Sequence, residues 1–306
     1  MPTGKSTRKA NSGFYHLMIM PGIIFLVIFN VIPIIGLIMA FQRYNPVAPF
    51  FGLASPFVGL RNFNTIFVLH PDSRQVIINT LIIAVAKIIM FLVVPVIFAL
   101  LLNECLNKFL KRLVQTIVYL PYFLSWVVVG AMFRQIFAST GLVNTALLGL
   151  NLLREPIMFM ASNTWFRPII IFTDVWKGFG YSAIVYLAAI TAIDLNLYEA
   201  ADIDGANRWQ KMLYITLAGI LPTIILMSTL SLGNILNAGF DQIFNMYNPA
   251  VFRTGDVLDT FVYRIGLVNL QFHLATAVGL AKSVISMLLI ILSYKLADKY
   301  AGYRIF

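Results

Sequence analysis

The sequence predicts an all-α integral membrane protein with six transmembrane helices, and three observations carry that expectation. Of its 306 residues, 60% are hydrophobic and only 11% are charged, with a mean hydropathy of +0.86, whereas soluble domains carry about 25% charged residues. Mostly apolar stretches of about 20 residues recur along the chain, the length needed to cross about 30 Å of hydrocarbon. Nearly all of the charged side chains fall between those stretches.

The spans are expected at residues 14–41, 76–103, 113–133, 168–193, 221–240 and 275–294. The first follows Lys5, Arg8 and Lys9 as a signal peptide would. Its apolar run is too long for a signal core and no small-x-small cleavage site follows, so it is expected to stay as a span. Pro21, Pro33 and Pro95 lie inside spans and predict kinks, because each removes a backbone hydrogen bond that neighbours or water must replace.

Orientation is read from basic residues. An inside N-terminus puts Lys5, Arg8, Lys9, Lys108, Lys111, Arg112, Arg208, Lys211, Lys295, Lys299 and Arg304 in the cytoplasm. Arg43, Arg61, Arg74, Arg134, Arg154, Arg167, Arg253 and Arg264 are then outside, on longer segments. Charge density in short loops and tails counts most, so both termini are expected to be cytoplasmic.

The net charge of +10 reads as topology signal and contact with anionic lipid rather than nucleic-acid binding. The single Cys105 permits no internal disulfide, and His16, His70 and His273 are too scattered for a metal cluster. Thr-Gly-Lys-Ser at residues 3–6 ends like a phosphate-binding loop, but the first glycine of that motif would precede residue 1 and no strand leads into it. Neither a nucleophile-base arrangement nor paired carboxylates suggest catalysis.

Lys87, Asp174, Lys177 and Lys282 fall within spans. Ionisable groups at that depth are costly and face a protein interior or a wet cavity, which transport would explain. Equally, Asp174 and Lys177, three apart on one helix face, can pair with each other, while Lys87 and Lys282 snorkel or bind carbonyls.

Between the fourth and fifth spans lies the loop 194–218, containing EAADIDGANRW. Asp194 is a good N-cap, and Leu195, Tyr198 and Ala201 recur along a short helix that Gly205 stops. In the helix that follows, Trp209, Met212, Leu213 and Thr216 recur at i, i+3, i+4 and i+7 and predict one apolar face. The pair makes a knob whose large side chains, Trp209 and Tyr198, suit a groove on a partner.

That loop resembles the signature of the membrane permease subunits of bacterial binding-protein-dependent ABC importers: Glu-Ala-Ala, three residues, Gly, nine residues, Ile, one residue, Leu-Pro. Glu199, Ala200, Ala201, Gly205, Ile215 and Leu217 match at that spacing. Ala218 replaces the final proline, so the second helix can run on into the fifth span. ALLLNE at 99–104, YLPYFLSWVVVG at 119–130, WKGFGYSAIVYLAAI at 176–190, YEAADIDGANRW at 198–209 and GFDQIF at 239–244 are similar to the branch serving complex carbohydrates.

The resemblance implies the type I importer permease fold, with a cytoplasmic N-terminal tail at 1–13, a permease domain at 14–294 with its coupling loop at 194–218, and a cytoplasmic C-terminal tail at 295–306. It places the chain in a bacterial cytoplasmic (inner) membrane beside a second homologous permease, two ATPase subunits and an extracytoplasmic solute-binding protein. ATP and Mg belong to the ATPase subunits, and no cofactor is expected in this chain. Glu199, Ala200, Ala201, Gly205 and Trp209 would couple to the ATPase.

The substrate implied is an oligosaccharide, and an acidic one would suit the lysines. Sugars are held by aromatic faces and hydrogen-bonding groups, so Trp176, Lys177, Tyr181, Asn234, Asn237 and Lys282 are the candidate path. Trp176 and Tyr181 fit an interfacial belt equally well. The external segments 44–57 and 241–247 are candidate surfaces for the binding protein. The same architecture could carry a simple sugar or glycerol phosphate, because a fold does not name its cargo. An ion-coupled secondary transporter is disfavoured by the coupling signature and by the absence of a clear internal repeat.

Overall fold

The structure, a computed structural model, describes residues 6–48 and 54–301. Lys5 and Arg304 of the tails, the first three residues of the Thr-Gly-Lys-Ser stretch and part of the 44–57 segment lie outside the described residues. The chain forms two compact units. One contains the residues up to His70 with Ile265–Leu280; the other contains Pro71–Arg264 with residues from Ala281 onward.

In the first unit, helix α1 (Ser6–Leu26) continues through a π turn at Val27–Val31, with Pro33 just beyond it, and ends as a 3-10 helix at Ile35–Phe41. Buried Asn62 closes that end, its amide donating to the carbonyls of Ala40 at 2.9 Å and Gln42 at 2.8 Å. Phe41 packs on Phe63 and Phe57 beside the antiparallel Gln42–Phe57 bridge.

The second unit holds the helices α2 (Ser73–Asn103), α3 (Lys108–Tyr119), α4 (Trp126–Ile136), α5 (Leu142–Gly149), α6 (Phe166–Thr191), α7 (Leu195–Ile203), α8 (Arg208–Leu232), α9 (Phe240–Met246) and α10 (Leu258–Tyr263). Helix α11 (Phe272–Ala301) contributes to both units. Among the described residues, four helices are long and apolar enough to span a membrane by themselves, and six spans result if each of two bent pairs counts as one.

The first of those bends corrects the expected third span, whereas the second falls where the fourth span was expected to give way to the loop helix. The third stretch turns by 103° between Lys108–Phe123 and Trp126–Ile136. Leu124 and Ser125 are extended there, and the Ser125 hydroxyl caps the new helix by accepting from the Val128 amide. Similar hydropathy on both sides of the bend hid it. The other bend, of 68°, separates α6 from α7.

The fifth span also differs from expectation: it starts at Arg208 and ends at Leu232, instead of covering 221–240. Ala218 lets the helix continue, as the missing proline suggested. Its end comes early because the chain turns at Gly233 and reaches Gly239 at φ +92°, a conformation that suits glycine.

Two clusters of buried side chains organise the unit. Ile83, Phe133, Phe166, Ile170, Ile243 and Val257 belong to one, and Val96, Ala183, Tyr186, Met212 and Ile220 to the other. At Gly178 and Gly180 the packing on Phe91 and Val118 leaves no room for a Cβ, so these glycines let helices approach closely. Beyond α9, buried Asp256 accepts from Thr260 at 2.7 Å and Arg264 at 2.6 Å. Burial pushes its carboxyl upward from the usual range while Thr260 and Arg264 pull it back.

Candidate functional site

The knob is built by local capping chemistry. Asp194 accepts from the Asn196 amide at 2.9 Å and starts α7. The helix ends with Gly205 at φ +76°, where the Ala206 amide donates back to Ala201 at 2.9 Å and the Gly205 amide to Asp202 at 3.2 Å, the left-handed cap that glycine favours. Helix α8 then begins with a reciprocal box: Asn207 accepts from the Gln210 amide at 2.9 Å, and the Gln210 side chain accepts from the Asn207 amide at 2.8 Å. Each such cap contributes about 1 kcal/mol.

Of the coupling candidates, Glu199, Ala200, Gly205 and Trp209 are exposed, and Ala201 is half-buried. Trp209 at 67% and Ile203 at 88% exposure put apolar surface on the knob. Tyr198 does not project outward as expected: half-buried, its hydroxyl shares a hydrogen bond of 2.8 Å with Thr216. The single apolar face expected over Trp209, Met212, Leu213 and Thr216 is also corrected. Residues Met212–Leu217 form a π turn, so Met212 and Thr216 are buried while Trp209 and Leu213 stay exposed.

The candidate path residues fall in separate places. Asn234 and Asn237 line a cavity of about 270 Å³ with Ser231, Lys87, Asp174 and Phe91. Buried Lys87 donates to the Ala238 carbonyl at 2.7 Å and to Gln242, and pairs with Asp174 at 2.8 Å. Gln242 in turn donates to the Ile170 carbonyl at 2.6 Å and to Thr173 at 2.8 Å, so this node ties α2, α6 and α9 together. The Asp174–Lys177 pair is therefore not the one formed. Asp174 turns across to α2 because Lys87, with its charge removed from solvent, requires a counterion.

Lys177 reaches the break between α3 and α4 instead. It donates to the Tyr122 carbonyl at 2.7 Å, with its ammonium 5.2 Å from the Tyr122 ring centre and 5.4 Å from that of Trp126. Tyr122 lies flat on Tyr181, centroids 3.9 Å apart and planes at 3°. Exposed aromatic rings and a cation thus meet on one surface. Among the described residues Lys177 forms no ion pair with a carboxylate, whereas Lys282 pairs with Asp259. Trp176 packs edge-on against Phe133 in the buried cluster, 5.2 Å between ring centres.

Tyr122 and Trp126 were not foreseen beside Lys177, although Pro121, just before Tyr122, and Ser125, just before Trp126, signal the break that brings them there. Among the described residues, no group of three or more His, Cys, Asp or Glu could hold a metal ion.

Residues 92–301 match a family described as the inner membrane component of binding-protein-dependent transport systems. The polygalacturonan/rhamnogalacturonan transport system permease protein YteP of Bacillus subtilis is 38% identical over 94% of this chain and 88% of that protein. The arabinooligosaccharides transport system permease protein AraP of the same organism is 29% identical over 94% of this chain and 89% of its own. A solved bacterial ABC transporter involved in import of the acidic polysaccharide alginate contains a chain 35% identical to this one. The two superpose with a TM-score of 0.87, covering 96% of this chain and 98% of that one. A second structure, of the alginate transporter with its alginate pentasaccharide-bound periplasmic protein, gives 0.86 at 34% identity, covering 97% of this chain and 98% of that one.

Proposed function

The chain belongs to the family of binding-protein-dependent transport system inner membrane components, and from that premise we propose that it carries acidic oligosaccharides into the cell. It is a multi-pass membrane permease for carbohydrate import, and ATP is hydrolysed by separate subunits of such importers. The observation that carries the cargo reading is the surface formed by Lys177, Tyr122, Tyr181 and Trp126. The parts of Tyr122 and Tyr181 left exposed offer apolar aromatic surface of the kind sugars cover, and a cation that forms no ion pair with a carboxylate among the described residues suits a uronate. Polygalacturonan and alginate, named for two of the similar proteins, are both acidic.

Asn234 and Asn237, with Ser231, supply hydrogen-bonding groups for sugar hydroxyls in the separate cavity they line. Lys87 is committed to Asp174, Gln242 and Ala238, so its part is to hold that cavity's wall. Trp176 packs on Phe133 against the buried cluster, and Lys282 orders the α10–α11 contact through Asp259.

The working assembly in this reading has a second homologous permease, two ATPase subunits binding ATP and Mg, and an extracytoplasmic binding protein that delivers the sugar. Both termini and the α7–α8 knob face the cytoplasm. Glu199, Ala200, Ala201, Gly205 and Trp209 contact the ATPase, and closure of the ATPase dimer on ATP draws the knobs together and tilts the spans to open the path outward. Hydrolysis resets it.

The test is uptake by the reconstituted importer carrying Lys177→Met. Uptake of uronate-containing oligosaccharides should fall much more than uptake of neutral ones of equal length. Equal loss for both classes would remove Lys177 from cargo selection.

A further inference from the structure

Helix α7 is held along α8 by two ties, and we propose that these ties position the knob and so determine how much transport each ATP drives. The inference rests on the reading of α7 as the ATPase-contacting element. Tyr198 and Asp202 stand four apart on α7 and therefore on one face. Tyr198 shares its hydrogen bond with Thr216, 18 residues along the chain and 1% exposed, and Asp202 pairs with Lys211 at 2.5 Å.

On α8 the receiving residues, Lys211 and Thr216, are five apart. In a regular α-helix that spacing places them about 140° around the axis, on different sides. The π turn at Met212–Leu217 changes this, because its five-residue hydrogen-bond spacing brings positions five apart close to one side. The Thr216 hydroxyl also lies 3.4 Å from the Lys211 carbonyl, within the same turn. The extra residue of the π turn is thus what lets both ties reach α7.

A force applied at Ile203 has two covalent routes into the membrane, the links from α7 to α6 and to α8, and both are short turns. Without the ties, α7 can swing about its link to α6 and about Gly205 while α8 stays in place. ATP would then be hydrolysed with little movement of the spans. Tyr198 and Thr216 are positioning residues in this account and touch neither nucleotide nor sugar.

The experiment uses the complete importer in proteoliposomes, with binding protein and cargo, and reads three quantities: ATPase subunits co-purifying, ATP hydrolysed, and solute taken up. Tyr198→Phe and Thr216→Val each remove one hydroxyl and keep the bulk. Each should retain the ATPase subunits and raise the ATP consumed per solute several-fold, and the double variant should be no worse than either single one. Thr216→Ser, which keeps the hydroxyl, should restore the normal ratio. A merely structural role would lower the amount of inserted protein without moving that ratio.

An unchanged ratio in Tyr198→Phe with the ATPase still bound overturns the inference and leaves α7 as the contact. Gly205→Pro separates the other failure: if that variant keeps both the ATPase subunits and full uptake, α7 is not the contact and the inference falls with it.

Discussion

The polar ties of the α7–α8 knob close over short stretches of chain, from two residues at the Asp194 cap to 18 between Tyr198 and Thr216, whereas Lys87 bonds partners 151 and 155 positions away. The two regions also differ in exposure. Glu199, Ile203 and Trp209 stand in the open, while Lys87 is 6% exposed and fully engaged. Changes at the knob should therefore alter function at small cost in stability, and changes at the Lys87 node should do the reverse. Each of the following substitutions tests one side of that contrast.

The largest effect is expected from Gly205→Pro. Proline holds φ near about −65°, whereas this position sits at +76°, so the turn between α7 and α8 cannot form. Uptake by the reconstituted importer should be abolished while the amount of chain inserted in the membrane stays normal. Glu199→Lys, on the same exposed surface, should give the same pattern by reversing a charge at the contact.

Next comes Lys87→Met. Removing one partner of a buried pair leaves Asp174 and Gln242 without their cation, at a cost of about 3 kcal/mol. Denaturant unfolding in detergent micelles should show that loss, and adding Asp174→Asn should recover part of it. No change in stability would mean that the node is dispensable and that the contrast with the knob is false.

The smallest effect is expected at Asn207→Ala, which removes one half of the capping box and costs about 1 kcal/mol. That loss should stay local, appearing as faster hydrogen exchange at the amides of Trp209, Gln210 and Lys211 with the global transition unmoved. A drop in global stability would show that the knob is more tightly integrated than its exposure implies.

The same contrast explains what could be read from the sequence. Asp194 as a cap, Gly205 as a stop and the unbroken run through Ala218 all rest on interactions within a few residues, and all three are seen in the structure. The pairing of Asp174 with Lys87 depends on how α6 packs against α2, and no local pattern encodes it. Lys177, three residues away on the same helix, was the nearer partner by sequence and the wrong one.

The span boundaries lie between these cases. Gly233 and Gly239 around Asn234 and Asn237 were available as signals that the fifth helix ends before them, but the apolar run continuing through Ile235 and Leu236 masked those signals. The 103° bend after Phe123 was marked by Pro121 and Ser125, and hydropathy carries no information on direction. The Tyr122–Tyr181–Lys177 surface follows from that bend, so it became visible only with the bend in place.

The most direct test of the account measures ATPase stimulation of the reconstituted importer by its binding protein loaded with single oligosaccharides, uronate-containing or neutral, of matched length. Strong stimulation is expected from the uronate-containing oligosaccharides and little from the neutral ones. Stimulation by neutral oligosaccharides alone, or by none of either class, would contradict it.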